Sequence, residues 1–348
     1  MIRVGIIGSG NVAQTQHIPA YRAYKQPVEI VAIAGRDEER TRKVADQFQI
    51  QDVYNDVPQM FLNHKLDIVS VCSPNNLHYT HVMQSLNANC HVLCEKPPAI
   101  NYEQAKEMML KAKEANRILS YNLCYRQLKE VEILKELIEN GEFGKVYHIK
   151  ASFLRRRGIP GWGQFTNKEI QGGGALMDIG IHVLDLALFL LNYSTVKSVL
   201  GNTYDHIGKI GGFGLMGEWN PETFSVEDSC FAQISFKDNC SVSLETSFAL
   251  NMEPTKIFNL EIYGSKMGAQ LQPLKLFSAN DKELIDRDHS VHEQLNHQEK
   301  NIHCFLDGCF GEKNTVCTSE EGVKLQALIE SIYKSAQTKT AINFDRFF

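Results

Sequence analysis

The sequence predicts an α/β protein: an amino-terminal doubly wound parallel sheet followed by a carboxy-terminal α+β domain with a large, mostly antiparallel open sheet. Apolar strands alternate with amphipathic helices over residues 1–122, a glycine-rich turn follows the first strand, and apolar positions after residue 122 recur with a period of two. A chain of 348 residues is also long for one hydrophobic core. We therefore divide it into a domain of residues 1–122 and a domain of residues 123–348.

The composition limits the classes of partner. Lys and Arg total 36 against 41 Asp and Glu, and the net charge of -5 does not supply the basic surface that nucleic acids require. No basic-then-apolar leader precedes the first strand, and the longest apolar run, near Leu186 to Leu191, is shorter than a membrane span. The nine cysteines include no Cys-x-x-Cys pair, which is typical of reduced thiols. We expect a cytoplasmic protein that binds neither nucleic acid nor membrane.

The first strand, residues 2–7, runs into the Gly-x-Gly-x-x-Ala form of the dinucleotide-binding fingerprint. Gly8 permits the tight turn, Gly10 lets the backbone approach a pyrophosphate, and the small Ala13 allows the helix to pack closely on the strand. The N-terminus of that helix offers unpaired N–H groups to the anion. The dinucleotide contacts expected in this Rossmann domain are Gly8, Gly10, Asn11, Val12 and Ala13.

Further strands and helices alternate after this turn, as a doubly wound sheet requires. The predicted strands are 28–34, 67–72, 91–94 and 118–122, and the predicted helices are 38–48, 77–86 and 102–115. Ligands bind outside the carboxyl ends of the strands in such sheets. The segment after the third strand is therefore expected to line the cofactor cleft, although a plain proline turn has the same sequence. Its candidate residues are Ser73, Pro74, Asn75 and His78.

The turn after the second strand, Ala34-Gly35-Arg36-Asp37, distinguishes between cofactors. An acidic residue at this tip binds the ribose hydroxyls of NAD, whereas an arginine accommodates the 2'-phosphate of NADP. Arg36 therefore favours NADP over NAD. Two alternatives stay open, because Asp37 is one step away and because Arg36 either stacks on adenine or belongs to the solvated start of a helix.

Glu95, Lys96 and Pro97 follow the strand 91–94 at the same edge of the sheet. Pro97 pushes Lys96 into extended geometry and restricts the way its backbone turns. We expect Glu95 and Lys96 beside the cofactor, with Lys96 also contacting the substrate.

After residue 122 the sequence predicts a helix over 130–139, two closing helices, and period-two strands over 147–153, 230–236, 242–248 and 258–262. The second closing helix starts with a capping box formed by Thr318 and Glu321. A large sheet needs cover on both faces. If helices cover one face, the other is a natural surface for a homodimer or homotetramer.

A helix over 174–191 carries an apolar stripe, and its only titratable residues are Asp178, His182 and Asp185. Their spacing of four and three places them on one line along the helix. Burying three such groups without partners would cost several kcal/mol, so this line is expected to face a cleft or a hydrogen-bond network. The preceding run, Gly172-Gly173-Gly174, would let the backbone approach a ligand. No His or Cys cluster completes a zinc site, so we expect no metal.

Together these motifs resemble the Gfo/Idh/MocA oxidoreductases, the family of glucose-fructose oxidoreductase and inositol dehydrogenase. The resemblance spans nearly the whole chain and rests on Gly8-x-Gly10-x-x-Ala13, Glu95-Lys96-Pro97 and the run from Gly172 to His182. It implies a Rossmann domain, a carboxy-terminal sheet that mediates oligomerisation, a nicotinamide cofactor and a sugar-like substrate. It further implies an active-site lysine, an aspartate and an acid/base histidine, at Lys96, Asp178 and His182.

Alcohol oxidation suits these three side chains. Hydride leaves a carbinol carbon only as the hydroxyl proton is removed, and a histidine with a pKa near ~6.5 exchanges protons at neutral pH. We expect His182 to be the general base, Asp178 to orient it, and Lys96 to stabilise the developing oxyanion. The reverse assignment, with Lys96 as the proton carrier, stays open because burial readily lowers the pKa of a lysine.

Candidate substrate contacts beyond this trio lie near the domain crossover and in the first strand and loop that follow. An indole ring suits the apolar face of a sugar, and an arginine binds a carboxylate or phosphate. The same sequence is also compatible with arginines that contact only solvent and a tryptophan that only packs against the protein. The candidates are Asn122, Tyr125, Arg126, Arg155 and Trp162.

The sequence thus predicts an NAD(P)-dependent dehydrogenase or reductase that transfers a hydride between nicotinamide and a hydroxyl or carbonyl carbon of a sugar, inositol or related polyol. Two alternatives are a glycoside hydrolase that oxidises its sugar transiently with a bound NAD, and a non-enzymatic nucleotide-binding regulator. Net turnover of the cofactor distinguishes the dehydrogenase from the hydrolase. Retention of Lys96, Asp178 and His182 argues against the regulator.

Overall fold

The computed structural model describes residues 1–289, 296–312 and 314–344. The chain forms two compact units, of which unit 1 comprises Met1–Gln127 with Asn296–Gln326 and unit 2 comprises Leu128–Leu295 with Ala327–Phe348. The sequence-based division assigned everything after residue 122 to one domain, whereas residues 296–326 belong to the first unit. The physical reason is burial: Ile302, Phe305 and Leu306 lie in the same apolar core as the first strands of the chain.

Most of the predicted elements form where the sequence places them. The strands are β1 (Ile2–Ile7), β2 (Val28–Ala34), β3 (Asp52–Tyr54), β4 (Ile68–Val71), β5 (His91–Cys94), β6 (Leu119–Tyr121), β7 (Val146–Arg155), β8 (Val196–Tyr204), β9 (Phe213–Gly214), β10 (Gly217–Glu218), β11 (Ser229–Phe236), β12 (Ser241–Ser247), β13 (Lys256–Gly264), β14 (Met267–Gln270), β15 (Lys275–Ala279), β16 (Leu284–Asp288), β17 (Cys317–Thr318) and β18 (Ile342–Asn343). The helices are α1 (Ile18–Arg22), α2 (Glu38–Gln47), α3 (Val57–Asn63), α4 (His78–Asn87), α5 (Tyr102–Glu114), α6 (Lys129–Glu139), α7 (Lys168–Gln171), α8 (Ile181–Leu190), α9 (His206–Ile210), α10 (His297–Cys309) and α11 (Ser319–Thr338).

Unit 1 is built on a seven-stranded sheet in the order β17-β6-β5-β4-β1-β2-β3. Strands β1 to β6 are parallel and β17 joins the edge antiparallel to β6, so the predicted doubly wound sheet is confirmed. The last residues of β1, β4 and β5 lie in register, with Ile7 beside Val71 and Val71 beside Cys94. The loops that follow these three strands therefore emerge side by side at one edge of the sheet.

Unit 2 is built on a nine-stranded sheet in the order β16-β15-β14-β13-β7-β12-β11-β8-β18. The pair β7–β12 is parallel and the remaining pairs are antiparallel, as the period-two pattern predicted. Alternate residues of β11, from Cys230 to Phe236, are buried because one face of the sheet is covered. Helix α8 packs on that covered face, against β7, β12 and β13.

The predicted helix over residues 174–191 forms as a π-helical turn, Leu176–Gly180, that continues into α8. Among the described residues, the helical stretch Lys168–Leu190 is long and apolar enough to cross a membrane. However, 83% of its most apolar segment is buried within the fold. Between residues 173 and 188 every residue is buried except Asp178 and His182. The helix is thus a core element with two partly exposed polar positions, which lie one turn apart.

Candidate active site

The fingerprint loop after β1 has the geometry that a dinucleotide needs. Gly8 has a φ of +106°, and a Cβ at this position would lie 2.5 Å from the carbonyl oxygen of Cys72 in the loop after β4. A Cβ on Gly10 would meet nothing within 4 Å, so the backbone there faces open space. Helical structure follows directly, in a π-helical turn over Ala13–His17. These features fit the pyrophosphate of a nicotinamide dinucleotide.

The turn after β2 uses its acidic residue internally. Asp37 caps α2, because its Oδ1 accepts a hydrogen bond from the backbone N–H of Arg40 at 3.0 Å. Arg36 is exposed immediately before this cap. The turn therefore presents a cation next to a carboxylate that is engaged in helix capping.

His78 joins two of the loops at the carboxyl edge of the sheet. Its ring is fully buried, with Nδ1 2.8 Å from the carbonyl oxygen of Pro97 and Nε2 3.0 Å from that of Ser73. Burial lowers the pKa of His78, so the neutral ring donates to one of these oxygens at a time. The predicted direct contact with the cofactor is not supported for this side chain, because both ring nitrogens face backbone within the protein. Ser73, Pro74 and Asn75 are at least partly exposed in the loop, and their cofactor contacts stay predictions.

The backbone of Lys96 is held by the residue before it. One carboxylate oxygen of Glu95, Oε2, accepts from the Lys96 N–H at 3.3 Å, and the other, Oε1, accepts from Nδ2 of Asn122 at 2.7 Å. The Lys96–Pro97 peptide bond is cis. The Lys96 side chain is partly exposed at the end of β5, where the sequence predicted it.

A buried histidine that the sequence analysis missed completes this arrangement. His17 is fully buried, with Nε2 2.8 Å from Glu95 Oε1 and Nδ1 2.9 Å from the hydroxyl of Ser70. Burial lowers the pKa of His17, but Cys72 and Glu95 together raise it more, to about 10. Burial raises the pKa of Glu95, and the contacts with His17 and Asn122 outweigh this and lower it. The pair is therefore an imidazolium and a carboxylate at neutral pH. A histidine in the first helix, on the side that faces the sheet, was the available signal.

Two predicted substrate ligands instead belong to the interior of unit 1. Asn122 is 3% exposed and accepts from Nδ2 of Asn301 at 2.8 Å. The side chain of Arg126 is 1% exposed and pairs with Glu321 Oε2 at 2.9 Å. The prediction that both bind substrate is corrected for a clear physical reason. Their partners Asn301 and Glu321 come from residues 296–326, which the sequence analysis had not placed in the amino-terminal domain.

The remaining substrate candidates differ in exposure. Tyr125 stacks on His297, with ring centroids 5.1 Å apart. Arg155 donates from Nη1 to the carbonyl oxygen of Gly158 at 3.2 Å and lies over the ring of Phe153, whereas the alternative considered from the sequence was a solvated arginine. Trp162 is 54% exposed, so its indole ring is available to a ligand. Substrate contacts at Tyr125, Arg155 and Trp162 stay predictions.

The polar line on the long helix of unit 2 divides into two parts. Asp178 and His182 are partly exposed, one turn apart, and Asp178 lies within the π-helical turn. π-helical turns occur frequently at functional sites. Asp185 is 1% exposed and accepts a hydrogen bond from the hydroxyl of Tyr193 at 2.7 Å. Asp178 and His182 are therefore exposed enough to face a cleft, as one expectation had it. Asp185 instead takes part in an internal hydrogen bond, as the other expectation had it.

The glycine run before this helix contacts the protein itself. A Cβ on Gly173 would lie 2.0 Å from the hydroxyl of Tyr333, and a Cβ on Gly174 would lie 2.0 Å from the carbonyl oxygen of Glu227. The prediction that this run approaches a ligand is therefore wrong for these two glycines, because Tyr333 and Glu227 occupy the space. Across residues 1–289, 296–312 and 314–344, no three His, Cys, Asp or Glu side chains form a group that could hold a metal ion.

Comparison with known proteins identifies both parts of the chain. Residues 2–123 match a family described as "Oxidoreductase family, NAD-binding Rossmann fold", and residues 131–270 match the "GFO/IDH/MocA C-terminal domain". The chain is 40% identical over 341 residues to the D-glucoside 3-dehydrogenase of Escherichia coli, which covers 98% of this chain and 97% of that protein. It is 33% identical over 198 residues to the glucose-6-phosphate 3-dehydrogenase of Bacillus subtilis, covering 55% of this chain and 54% of that protein.

A solved structure shows the same fold. The levoglucosan dehydrogenase in complex with NADH and levoglucosan superposes with a TM-score of 0.85 over 99% of both chains, at 19% sequence identity.

Proposed function

Because the chain belongs to the Gfo/Idh/MocA oxidoreductase family, whose amino-terminal domain binds NAD, we propose that it oxidises the C3 hydroxyl of a glucoside or a closely related sugar, or reduces the corresponding 3-keto sugar. The proposed type of sugar and the proposed carbon position rest on the similarity to D-glucoside 3-dehydrogenase, which extends over nearly the full length of both chains. The partly exposed pair Asp178 and His182, on an otherwise buried helix, supports the chemistry.

Each proposed role follows from the chemistry of its side chain. His182 takes the proton of the reacting hydroxyl, and Asp178, one turn earlier on the same helix, favours the charged imidazolium that results. Lys96, on the loop held by Glu95, stabilises the oxygen as negative charge develops on it. A bound nicotinamide would supply the acceptor for the hydride that leaves the carbon. The products are a keto sugar, the reduced cofactor and the proton on His182.

We further propose that the protein uses NADP as well as NAD, with NADP favoured. Arg36 is exposed beside the expected adenosine position, and the neighbouring Asp37 carboxylate caps α2. An engaged carboxylate repels a 2'-phosphate less than a free one because its charge is partly neutralised by the helix N-terminus.

A homodimer or homotetramer built on the sheet of unit 2 is the proposed assembly. Tyr147, Tyr263 and Phe277 are exposed and line one groove on that sheet. Exposed aromatic side chains that cluster in this way are typical of an interface. Light scattering at micromolar concentration should give a multiple of the chain mass of 39.4 kDa, and a stable monomer would contradict the proposal.

A cytoplasmic location is likewise proposed, since all nine cysteines are free thiols.

The central experiment follows reduced nicotinamide absorbance while alkyl and aryl glucosides, free sugars, inositols and 3-keto sugars are offered with each cofactor. Net cofactor reduction with glucosides, and NMR identification of a 3-keto product, are the expected results. Glycoside cleavage without net change in the cofactor would favour the hydrolase alternative. Cofactor binding without turnover of any substrate would favour the regulator.

A further inference from the structure

Glu227 is a buried carboxylate surrounded by hydrogen-bond donors. Its Oε2 accepts from the N–H of Gly174 at 2.9 Å, and its Oε1 accepts from the N–H of Leu176 at 2.9 Å and from the hydroxyl of Tyr333 at 2.8 Å. The residue is 9% exposed. The first N–H groups of a helix have no partner within the helix, and a carboxylate at this end satisfies them and interacts favourably with the helix dipole.

These contacts fix the start of the helix that carries Asp178 and His182. On the other side of the turn, the hydroxyl of Thr246 donates to the carbonyl oxygen of Ala175 at 3.1 Å, and a Cβ on Gly180 would lie 2.8 Å from Thr246. The backbone from residue 174 to residue 180 is therefore held from both its N–H side and its carbonyl side. Little space is left for it to shift without moving Asp178.

We propose that Glu227 is a positioning residue, which acts on the reaction by holding the π-helical turn in the one arrangement that presents Asp178 and His182 correctly. This inference rests on the proposed function, because it acts through the roles assigned there to those two residues. A displacement of about 1 Å in a catalytic group can cost about 100-fold in rate, so a cap at this location has a large effect on turnover.

The geometry specifies the substitution that tests this role. In Glu227→Gln the amide oxygen can still accept two hydrogen bonds, but the NH2 group replaces an acceptor and faces an N–H donor. Two donors placed against each other repel, which shifts the first residues of the turn. Tyr333→Phe is the milder variant, since it removes one donor and leaves both backbone contacts of Glu227 in place.

The chain supplies a matched control in the next residue. Asp228 also caps a helix, accepting from the N–H groups of Ile207 and Gly208 at 2.7 and 2.8 Å, but that helix, α9, carries none of the proposed catalytic residues. Asp228→Asn makes the same chemical change in the same segment. Similar losses of melting temperature are expected in Glu227→Gln and Asp228→Asn.

The readouts are kcat, KM, cofactor Kd and the pH profile of kcat. Glu227→Gln should lower kcat by roughly 10- to 100-fold, leave the Kd of NADH within about twofold because unit 1 is untouched, and shift the apparent pKa seen in the profile as Asp178 moves relative to His182. Tyr333→Phe should show the same pattern more weakly. Asp228→Asn should keep kcat within about twofold of the wild type, with an unshifted profile.

Two failures can be told apart. If His182→Ala and Asp178→Asn lose turnover while Glu227→Gln behaves like Asp228→Asn, the positioning role is wrong and the proposed function stands. If His182→Ala keeps normal turnover, the proposed function fails and the positioning role fails with it.

Discussion

His182 is the residue on which the proposed chemistry depends most directly. We expect His182→Ala to lower kcat by roughly 10²- to 10⁴-fold, the usual contribution of one general acid-base group. NADH affinity should be nearly unchanged, because the fingerprint loop belongs to unit 1. Asp178→Asn should act in the same direction and lower the apparent pKa in the rate profile, since it removes a negative charge that supports the imidazolium. Steady-state kinetics with a cofactor titration would check both variants, and near-normal turnover in His182→Ala would exclude the assignment.

The ion pair of His17 and Glu95 makes stability depend on pH. The pKa of His17 is raised from 6.5 to about 10 in the folded protein. Its stabilising contribution is therefore fully present below pH ~6.5 and is lost as the pH rises toward 10. The pKa of Glu95 is lowered in the folded protein. The contribution of Glu95 to stability is therefore present at pH values above the ordinary pKa of a glutamate and is lost as the pH falls below it. The urea midpoint of the wild type should exceed that of His17→Asn by the largest amount near pH 6, and this difference should be smaller at pH 10.

The double variant of this pair is the control. In a Glu95→Gln background the carboxylate is gone and Cys72 alone raises the pKa of His17, so the additional substitution His17→Asn should remove less pH dependence than it does in the wild type. A difference between wild type and His17→Asn that is constant from pH 6 to pH 10 would disprove the ion pair.

At the scale of elements, we expect the turn between β2 and α2 to set the cofactor preference. Arg36→Ala should weaken NADP binding by roughly 10- to 100-fold, the value of one hydrogen bond to a charged group, and change NAD binding by less than about threefold. Arg42→Ala is the control, because that arginine lies on α2, just after the turn, and pairs at the surface with Glu38. Fluorescence titration of both reduced cofactors measures the effect. Equal losses for NADP and NAD in Arg36→Ala would mean that this arginine does not contact the phosphate.

The start of α11 combines a helix cap with a buried ion pair. Glu321 accepts from the N–H of Thr318 at 2.9 Å, which confirms the predicted capping box, and also pairs with the buried Arg126. Glu321→Ala should lower the free energy of unfolding by about 3 kcal/mol, because it removes one hydrogen bond of the capping box and the carboxylate partner of a buried cation. Glu320→Ala should cost less than about 1 kcal/mol, since Glu320 pairs with Lys113 at the surface. Chemical denaturation would compare the two, and equal losses would refute the distinction.

At the scale of the whole molecule, unit 1 needs both of its chain segments. A protein that ends at residue 289 lacks Ile302, Phe305 and Leu306 from the core, and Asn301 from the network beneath Lys96. We expect it to lose cooperative unfolding of unit 1 and NADH binding, although the fingerprint is intact. Circular dichroism and NADH fluorescence provide the measurement. A fragment of residues 1–122 that folds and binds NADH would contradict this expectation.

A splice variant supplies the positive control. The side chains of Gln127 and Asn301 are hydrogen-bonded at 3.4 Å, so a short glycine linker can join residue 127 to residue 296. This chain should recover NADH binding that the truncated protein lacks.

The sequence was informative where the determinants are local. Gly8, Gly10 and Lys96 lie in the loops after β1 and β5 where the sequence placed them, because strand ends and glycine turns are encoded within a few residues. Asn122 and Arg126 were misassigned because their partners lie 179 and 195 positions away. The strand β3 was missed because its three residues form no apolar run.

The separation of the two segments of unit 1 also has a consequence for biosynthesis. The ribosome releases residues 1–127 first, then the strands β7 to β16, and only afterwards α10 and β17. The dinucleotide-binding core is therefore exposed in an incomplete state while more than a hundred and fifty residues are translated, which takes roughly ten seconds or more at ordinary elongation rates. The nascent chain should bind chaperones throughout this interval, and it should acquire protease resistance in its amino-terminal segment only after residue 326 has left the exit tunnel.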